Sequence, residues 1–242
     1  MSHVIVEREF GGRPLILETG KWAKQADATV FATHGDTTVL AAVVRGTPRE
    51  GIDFFPLQVD YRERPSAMGK FPGGFRKREG APNQKEILTM RMIDRPVRPL
   101  FPKGFYDEVV IQCWVESADG QNDPDVIAGT AAAAALTMSS LPFDGPVATV
   151  RVARVEGQFV VNPTMAQMEY SDIDLVLSGH RDGVNMIEVG AMEVGEQDVL
   201  DAIKFGHEQI FTLLDMIDEL TQKAGKEKVC ELNLPSDELI ES

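Results

Sequence analysis

The stretch at residues 126–138 constrains this chain more than any other feature. It holds six alanines among apolar neighbours and no charge. A helix with that composition has no face suited to water and must be packed from several sides. Asp123-Pro124-Asp125 opens it: an Asp N-cap, a Pro at the first helical position, and a second acid at the positive end of the helix dipole. So alanine-rich a helix should pack closely on its neighbours. At 242 residues and 43% hydrophobic content there is enough material to bury a real core.

The first sixty residues are strand-rich, and more strand candidates follow later. Apolar β-prone runs lie at 15–17, 28–32, 37–44 and 54–61, punctuated by Gly20, Gly35-Asp36 and Gly46, and strand signals resume at 109–115, 148–155, 158–161 and 173–178. Asn83 with Glu86 three residues on forms a capping-box variant, and Ile87, Met90, Ile93 and Val97 then recur at helical spacing until Pro96 and Pro99 end or kink the helix. A long amphipathic helix is expected over 196–223, stopped by Gly225. Strands and helices mix without regular alternation, so the expected class is α/β (α+β). No linker divides 1–225, and 226–242 is a polar tail.

The net charge of −14 argues at first against a polyanionic partner. Its distribution argues the reverse. Residues 62–103 hold eleven Lys/Arg against four Asp/Glu, a net of +7, which leaves −21 elsewhere. A basic island on an acidic body is a focused anion site.

Within that island, seven of the nineteen residues at 64–82 are Gly or Pro, which excludes a helix or a central strand. Its centre reads Lys70-Phe71-Pro72-Gly73-Gly74-Phe75-Arg76-Lys77-Arg78. Aromatics interleaved with cations suit single-stranded nucleic acid, which needs a π-face for a base and Lys/Arg for phosphate. The competing interpretation is a solvated basic loop whose Phe side chains fold back onto the core. On the following helix, Arg91, Arg95 and Arg98 fall within about a sixth of a turn of one another. Three guanidiniums on one face call for phosphate, which their planar fork matches, or for internal pairing with Asp94, Glu86 or Asp107.

Cys113 and Cys230 suggest neither a disulfide framework nor a Cys-rich metal site. There is no signal-peptide pattern and no run of eighteen apolar residues, so a soluble, cytoplasmic protein without membrane contact is expected. Neither G-x-G-x-x-G nor a P-loop follows any strand, which excludes the common dinucleotide and nucleotide cradles. His34 is expected at a turn and His207 as a packing residue in the long helix, and neither has a catalytic partner pattern. Met165 and Met168 are ordinary apolar positions.

Several ordered segments resemble the polynucleotide phosphorylases. They include Phe10-Gly11-Gly12, Leu17-Glu18-Thr19-Gly20, Gly35-Asp36-Thr37, Gly80-Ala81-Pro82, Ile93-Asp94-Arg95-Pro96-Val97-Arg98-Pro99-Leu100-Phe101-Pro102, Asn122-Asp123-Pro124-Asp125, Val161-Asn162-Pro163-Thr164 and Phe205-Gly206-His207-Glu208. The resemblance spans nearly the whole chain and implies the first ribonuclease PH-type core domain over 1–225. The tail at 226–242 would begin a helical linker to a second core domain. It further implies a trimeric ring that shortens RNA from its 3′ end with inorganic phosphate, releases nucleoside diphosphates, and uses Mg or Mn.

The family's Phe-Phe-Arg-Arg constriction loop falls on Phe75, Arg76, Lys77 and Arg78, with Arg76 in place of the second aromatic and Lys77 in place of the first Arg. The family's metal site, Asp-x5-Asp-x-Lys in the second domain, corresponds here to Asp119, Asp125 and Ile127. The cation is missing, so no catalytic or metal-binding residue is expected in this chain. A non-catalytic RNA-binding ring subunit of an exosome-like assembly is the alternative.

Overall fold

The computed structural model describes residues 2–48 and 51–232. The central helix is α2, Pro124–Met138, and all fifteen of its residues are buried. Asp123 caps it by accepting from the backbone N–H of Asp125. The alanines let it lie between two sheets, against β3 and β4 of one and β7 of the other.

The first sheet has six strands: β1 (Val4–Phe10), β2 (Arg13–Thr19), β3 (Ala28–His34), β4 (Thr37–Arg45), β5 (Leu57–Glu63) and β6 (Val109–Ser117), in the order β1-β2-β3-β4-β6-β5. All pairs are antiparallel except β5 with β6, which is parallel in the register Leu57↔Val109 to Glu63↔Val115. The second sheet has the order β10-β9-β7-β8 and is antiparallel throughout, built from β7 (Ala148–Val155), β8 (Gln158–Val161), β9 (Ser171–His180) and β10 (Gly183–Ala191). The short helix α3 (Met165–Met168) carries its own capping box from Thr164 and Gln167.

Helix α1 (Gln84–Val97) begins with the expected box. The Asn83 side chain accepts from the Glu86 N–H, and the Glu86 side chain accepts from the Asn83 N–H. Pro96 lies inside this helix rather than ending it; the turn continues through Arg98, whose N–H donates to Asp94 O, into a 3-10 turn at Arg98–Leu100. Helix α4 (Glu196–Ala224) packs on β7 and β9, and its later turns reach β1, where Arg8 pairs with Glu219.

One strand expectation needs correction, and two strands have none. β5 starts at Leu57 rather than Phe54, because its ladder to β6 begins only after Pro56. β1 and β10 carry no strand expectation from sequence. Both are edge strands, with burial patterns of mostly exposed or half-exposed residues, so they leave little alternation to read. His34 ends β3 and is buried, its Nε2 3.0 Å from Phe10 O, and burial holds the imidazole below its usual pKa. His207 sits in α4 with Nε2 3.0 Å from His180 O.

Candidate nucleic-acid interface

The segment between β5 and α1 leaves the core after a 3-10 turn at Pro65–Met68 and returns at Asn83. Its tip does not fold back. Phe71 is 91% exposed and Phe75 is fully exposed. Gly74 at φ 77° and Lys77 at φ 50° bend the backbone of the tip through the left-handed region. Among the described residues no acid pairs with Lys70, Arg76, Lys77 or Arg78. Two bare aromatic faces and four unneutralised cations therefore share one projection, and such apolar exposure is costly unless a partner covers it.

At the base of the loop lies a cleft of about 210 Å³ in which Arg62, Arg64 and Arg78 face Glu63, Glu79 and Glu86. The Arg64 guanidinium stacks over Trp114 at 4.4 Å and stands 3.6 Å from Glu79. Arg62 lies 3.3 Å from Asp60. Both arginines are thus paired within the protein, and the sequence marks them only as part of the +7 island.

The three arginines of α1 separate. Arg98, as exposed as Arg95, binds the protein itself: Nε and Nη2 donate to the Asp94 carboxylate at 2.9 Å and 2.6 Å, and Nη1 and Nη2 donate to Phe55 O and Leu57 O at 3.2 Å each. Arg95 pairs with Glu188 on β10. Arg91 is exposed and has no ion partner among the described residues. Of the acids the sequence offers as partners, only Asp94 takes that role. Glu86 caps α1 and accepts from Glu63 N, and Asp107 pairs with Arg45.

At the N-terminus of α2 the structure assembles a charge cluster with no sequence signature. Arg151 of β7 donates from Nη1 to Asp123 at 2.8 Å and from Nη2 to Asp125 at 3.0 Å, with its Nε 3.3 Å from Asp174. Lys85 of α1 bridges Asp123 at 3.0 Å and Glu63 at 2.9 Å, and Tyr61 donates to Glu63 at 2.7 Å. Burial tends to raise Asp123, but the Arg151 guanidinium and the Lys85 ammonium outweigh it and hold the carboxyl below its usual range. Burial pushes Asp125 up, to about 7, against the pull of Arg151.

Asp119 lies apart from this cluster. Its carboxylate accepts from Gln121 N at 2.7 Å and Asn122 N at 2.8 Å, closing a turn beside Gly35. With Ile127 buried and apolar, the residues at the family's metal positions do not fit a metal ion. Among the described residues no group of three His, Cys, Asp or Glu side chains is placed to hold one. No described helix is long and apolar enough to cross a membrane.

Comparison with known proteins matches this architecture. The 3′ exoribonuclease family model for domain 1 matches residues 11–142, and the model for domain 2 matches residues 145–209. The boundary between them falls where the chain leaves the first sheet and α2 for the second sheet. The chain is 51% identical to a polyribonucleotide nucleotidyltransferase of Sulfurihydrogenibium azorense over 95% of its own length and 32% of the relative's. It is 50% identical to one of Geobacillus kaustophilus over 91% of the chain and 31% of that relative. It thus spans about a third of the length of these curated relatives. Among solved structures, rice Rrp46 superposes with a TM-score of 0.71 at 16% identity, covering 87% of this chain and 95% of that one, a likeness of fold alone. With both family models matched in order over most of its length, the chain belongs to the 3′ exoribonuclease family and has the ribonuclease PH-type fold.

Proposed function

We propose that this chain is the RNA-gripping core domain of a 3′-to-5′ phosphorolytic exoribonuclease, which shortens RNA with inorganic phosphate and releases nucleoside diphosphates in messenger RNA turnover. The observation that carries this reading is the fully exposed Phe75 beside Arg76, Lys77 and Arg78, all without acid partners among the described residues. A base stacks on the ring while its phosphates meet the cations. Arg91 and Arg95 extend the track along α1, with Arg95 exchanging Glu188 for a phosphate. Arg98 contributes mainly by holding α1 to the start of β5.

The metal-dependent chemistry, with Mg or Mn, belongs mainly to a part of the protein outside this chain. The carboxylates here are engaged by Arg151, by Lys85 and by turn N–H groups. A homotrimeric ring in the cytoplasm completes the reading, with the loop lining its entrance.

The test is fluorescence anisotropy of a labelled single-stranded oligoribonucleotide against the chain, with a phosphate-dependent nucleoside diphosphate assay alongside. Salt-sensitive binding that Phe75→Ala weakens, with negligible diphosphate release, is expected. Binding indifferent to Phe75 overturns the grip. Diphosphate release by nuclease-free chain places the active site here instead. The alternative of a non-catalytic ring subunit predicts the same binding, and is favoured if the parent reading frame holds no second unit with Asp-x5-Asp-x-Lys.

A further inference from the structure

Trp22 sits in the connection between β2 and β3, and it is 49% exposed. The other tryptophan, Trp114, is half-buried on β6 with the Arg64 guanidinium stacked on its ring. Trp22 borders a cavity of about 230 Å³, lined by the small residues Gly20, Ala26 and Ala28 and by the cations Lys24 and Lys226. Pockets for drug-sized ligands start at about 300 Å³, so this one is of a size for a single flat ring system.

The platform is held in place. Thr29 Oγ1 donates to Trp22 O at 3.1 Å, and the Ala26 N–H donates to Ala23 O at 3.0 Å, closing a turn with Ala23 at φ 44°. The indole also meets Phe31 of β3 at 6.3 Å between ring centroids. Lys226 reaches the same corner from beyond α4. Its N–H donates to Met138 O at 2.9 Å and its ammonium donates to Asp27 O, which pins the segment after α4 beside the β2–β3 connection.

Three lysines therefore gather around one ring. Lys21 rests over the indole, with Nζ 5.2 Å from its centroid, and lies 3.5 Å from Glu18. Lys24 and Lys226 have no acid partner among the described residues. The acids close by are engaged elsewhere: Glu18 with His3 as well as Lys21, and Asp27 as acceptor of the Arg45 N–H at 2.6 Å. An exposed ring beside unneutralised cations supplies both halves of nucleotide recognition, a π-face for the base and positive charge for phosphate.

We propose that this pocket is a second nucleotide site, in which a base stacks on Trp22 while Lys24 and Lys226 hold its phosphates. Lys21 leaves the indole as the base arrives and turns to the phosphates. The site lies beyond the grip at 75–78 and does not rest on it, since β4 and β6 separate β3 from β5, the strand that leads into the projecting loop. A free nucleoside diphosphate and a nucleotide of an RNA strand present the same chemistry to it.

The probes are ADP, adenosine and an oligoadenylate, read by tryptophan emission and by calorimetry on the purified chain. ADP is expected to quench wild type saturably, and Trp22→Phe, which leaves Trp114 as the emitter, is expected to show no quenching. Trp22→Ala should weaken ADP binding in calorimetry about fivefold or more through lost stacking. Lys24→Gln/Lys226→Gln keeps both tryptophans and should weaken ADP about tenfold, to the level of adenosine, with circular dichroism reporting an intact fold. Half-saturation at a lower concentration of ADP than of oligoadenylate identifies a free nucleotide as the occupant, and the reverse identifies an RNA strand. The proposal is overturned if neither quenches Trp22, if the double lysine variant binds ADP as wild type does, or if Trp22 emission shifts with protein concentration alone, which marks a contact between copies of the chain. Failure here leaves the grip untouched, because the grip is read by oligoribonucleotide anisotropy with Phe75→Ala.

Discussion

Gly206 of α4 lies so close to Val152 of β7 that a methyl group on its Cα would stand 2.9 Å from the Val152 Cγ2, with Leu177 of β9 closer still. The absence of a side chain at this one position lets the helix settle onto the second sheet. Gly206→Ala is therefore expected to destabilise the chain by about 1–3 kcal/mol through overpacking, although alanine is the better helix former by about 1 kcal/mol. Urea unfolding measures the difference, and a variant as stable as wild type would refute the close-approach argument.

Arg95 and Arg98 should separate experimentally. Arg98 holds Asp94 and two carbonyls ahead of and within β5, so Arg98→Gln should cost about 1–2 kcal/mol of stability. Arg95 makes one exposed pair with Glu188, and Arg95→Gln should cost at most about 1 kcal/mol. The order reverses for RNA. Arg95→Gln should weaken binding and reduce the slope of log affinity against log salt by about 0.7. Equal salt slopes in wild type and Arg95→Gln, with the fold intact, would remove Arg95 from the RNA path.

Arg76 stands where the resembling family has a second aromatic. Arg76→Phe adds a stacking platform and removes a phosphate contact, so affinity at high salt should rise by about 1–3 kcal/mol while the salt slope flattens. Titrations at two ionic strengths decide it; lower affinity at both would show that Arg76 works through its charge alone.

Asp119 gives the chain an acid-labile turn. Hydrogen bonds from Asn122 and Gln121 outweigh the effect of burial and depress its carboxyl from 3.8 to about 2. A depressed acid stabilises the fold above its unfolded value and stops doing so as pH falls through the folded one. Wild type should lose this contribution between pH 3.8 and about 2. It is worth about 1 kcal/mol after allowance for solvent screening of so shallow a group. Asp119→Ala should be less stable at neutral pH and show a flatter acid limb. Parallel acid-unfolding curves for the two would contradict this.

What the sequence revealed followed from local chemistry. The Asn83–Glu86 box, the Asp123 cap and the alanine run of α2 report their structure because backbone N–H groups and neighbouring turns set it. That 64–82 is a loop is legible because seven Gly and Pro residues exclude a helix or a central strand, but its projection is not. β1 and β10 leave no such signal, since edge strands bury too few side chains to impose alternation. Arg151 was invisible for another reason. Its partners Asp123 and Asp125 are 28 and 26 residues away, joined to it only by the packing of α2 against β7. The arginines of α1 share a helical face in sequence, yet side-chain reach sends Arg95 to β10 and Arg98 to β5.

The tip of the loop between β5 and α1 touches nothing that the core depends on. Phe71 and Phe75 are bare, and neither takes part in the apolar interior. Substitutions at the tip are thus uncoupled from folding, whereas almost any change along α2 is felt by both sheets. At the tip a ring can be exchanged for a cation, one residue at a time, without passing through an unstable intermediate.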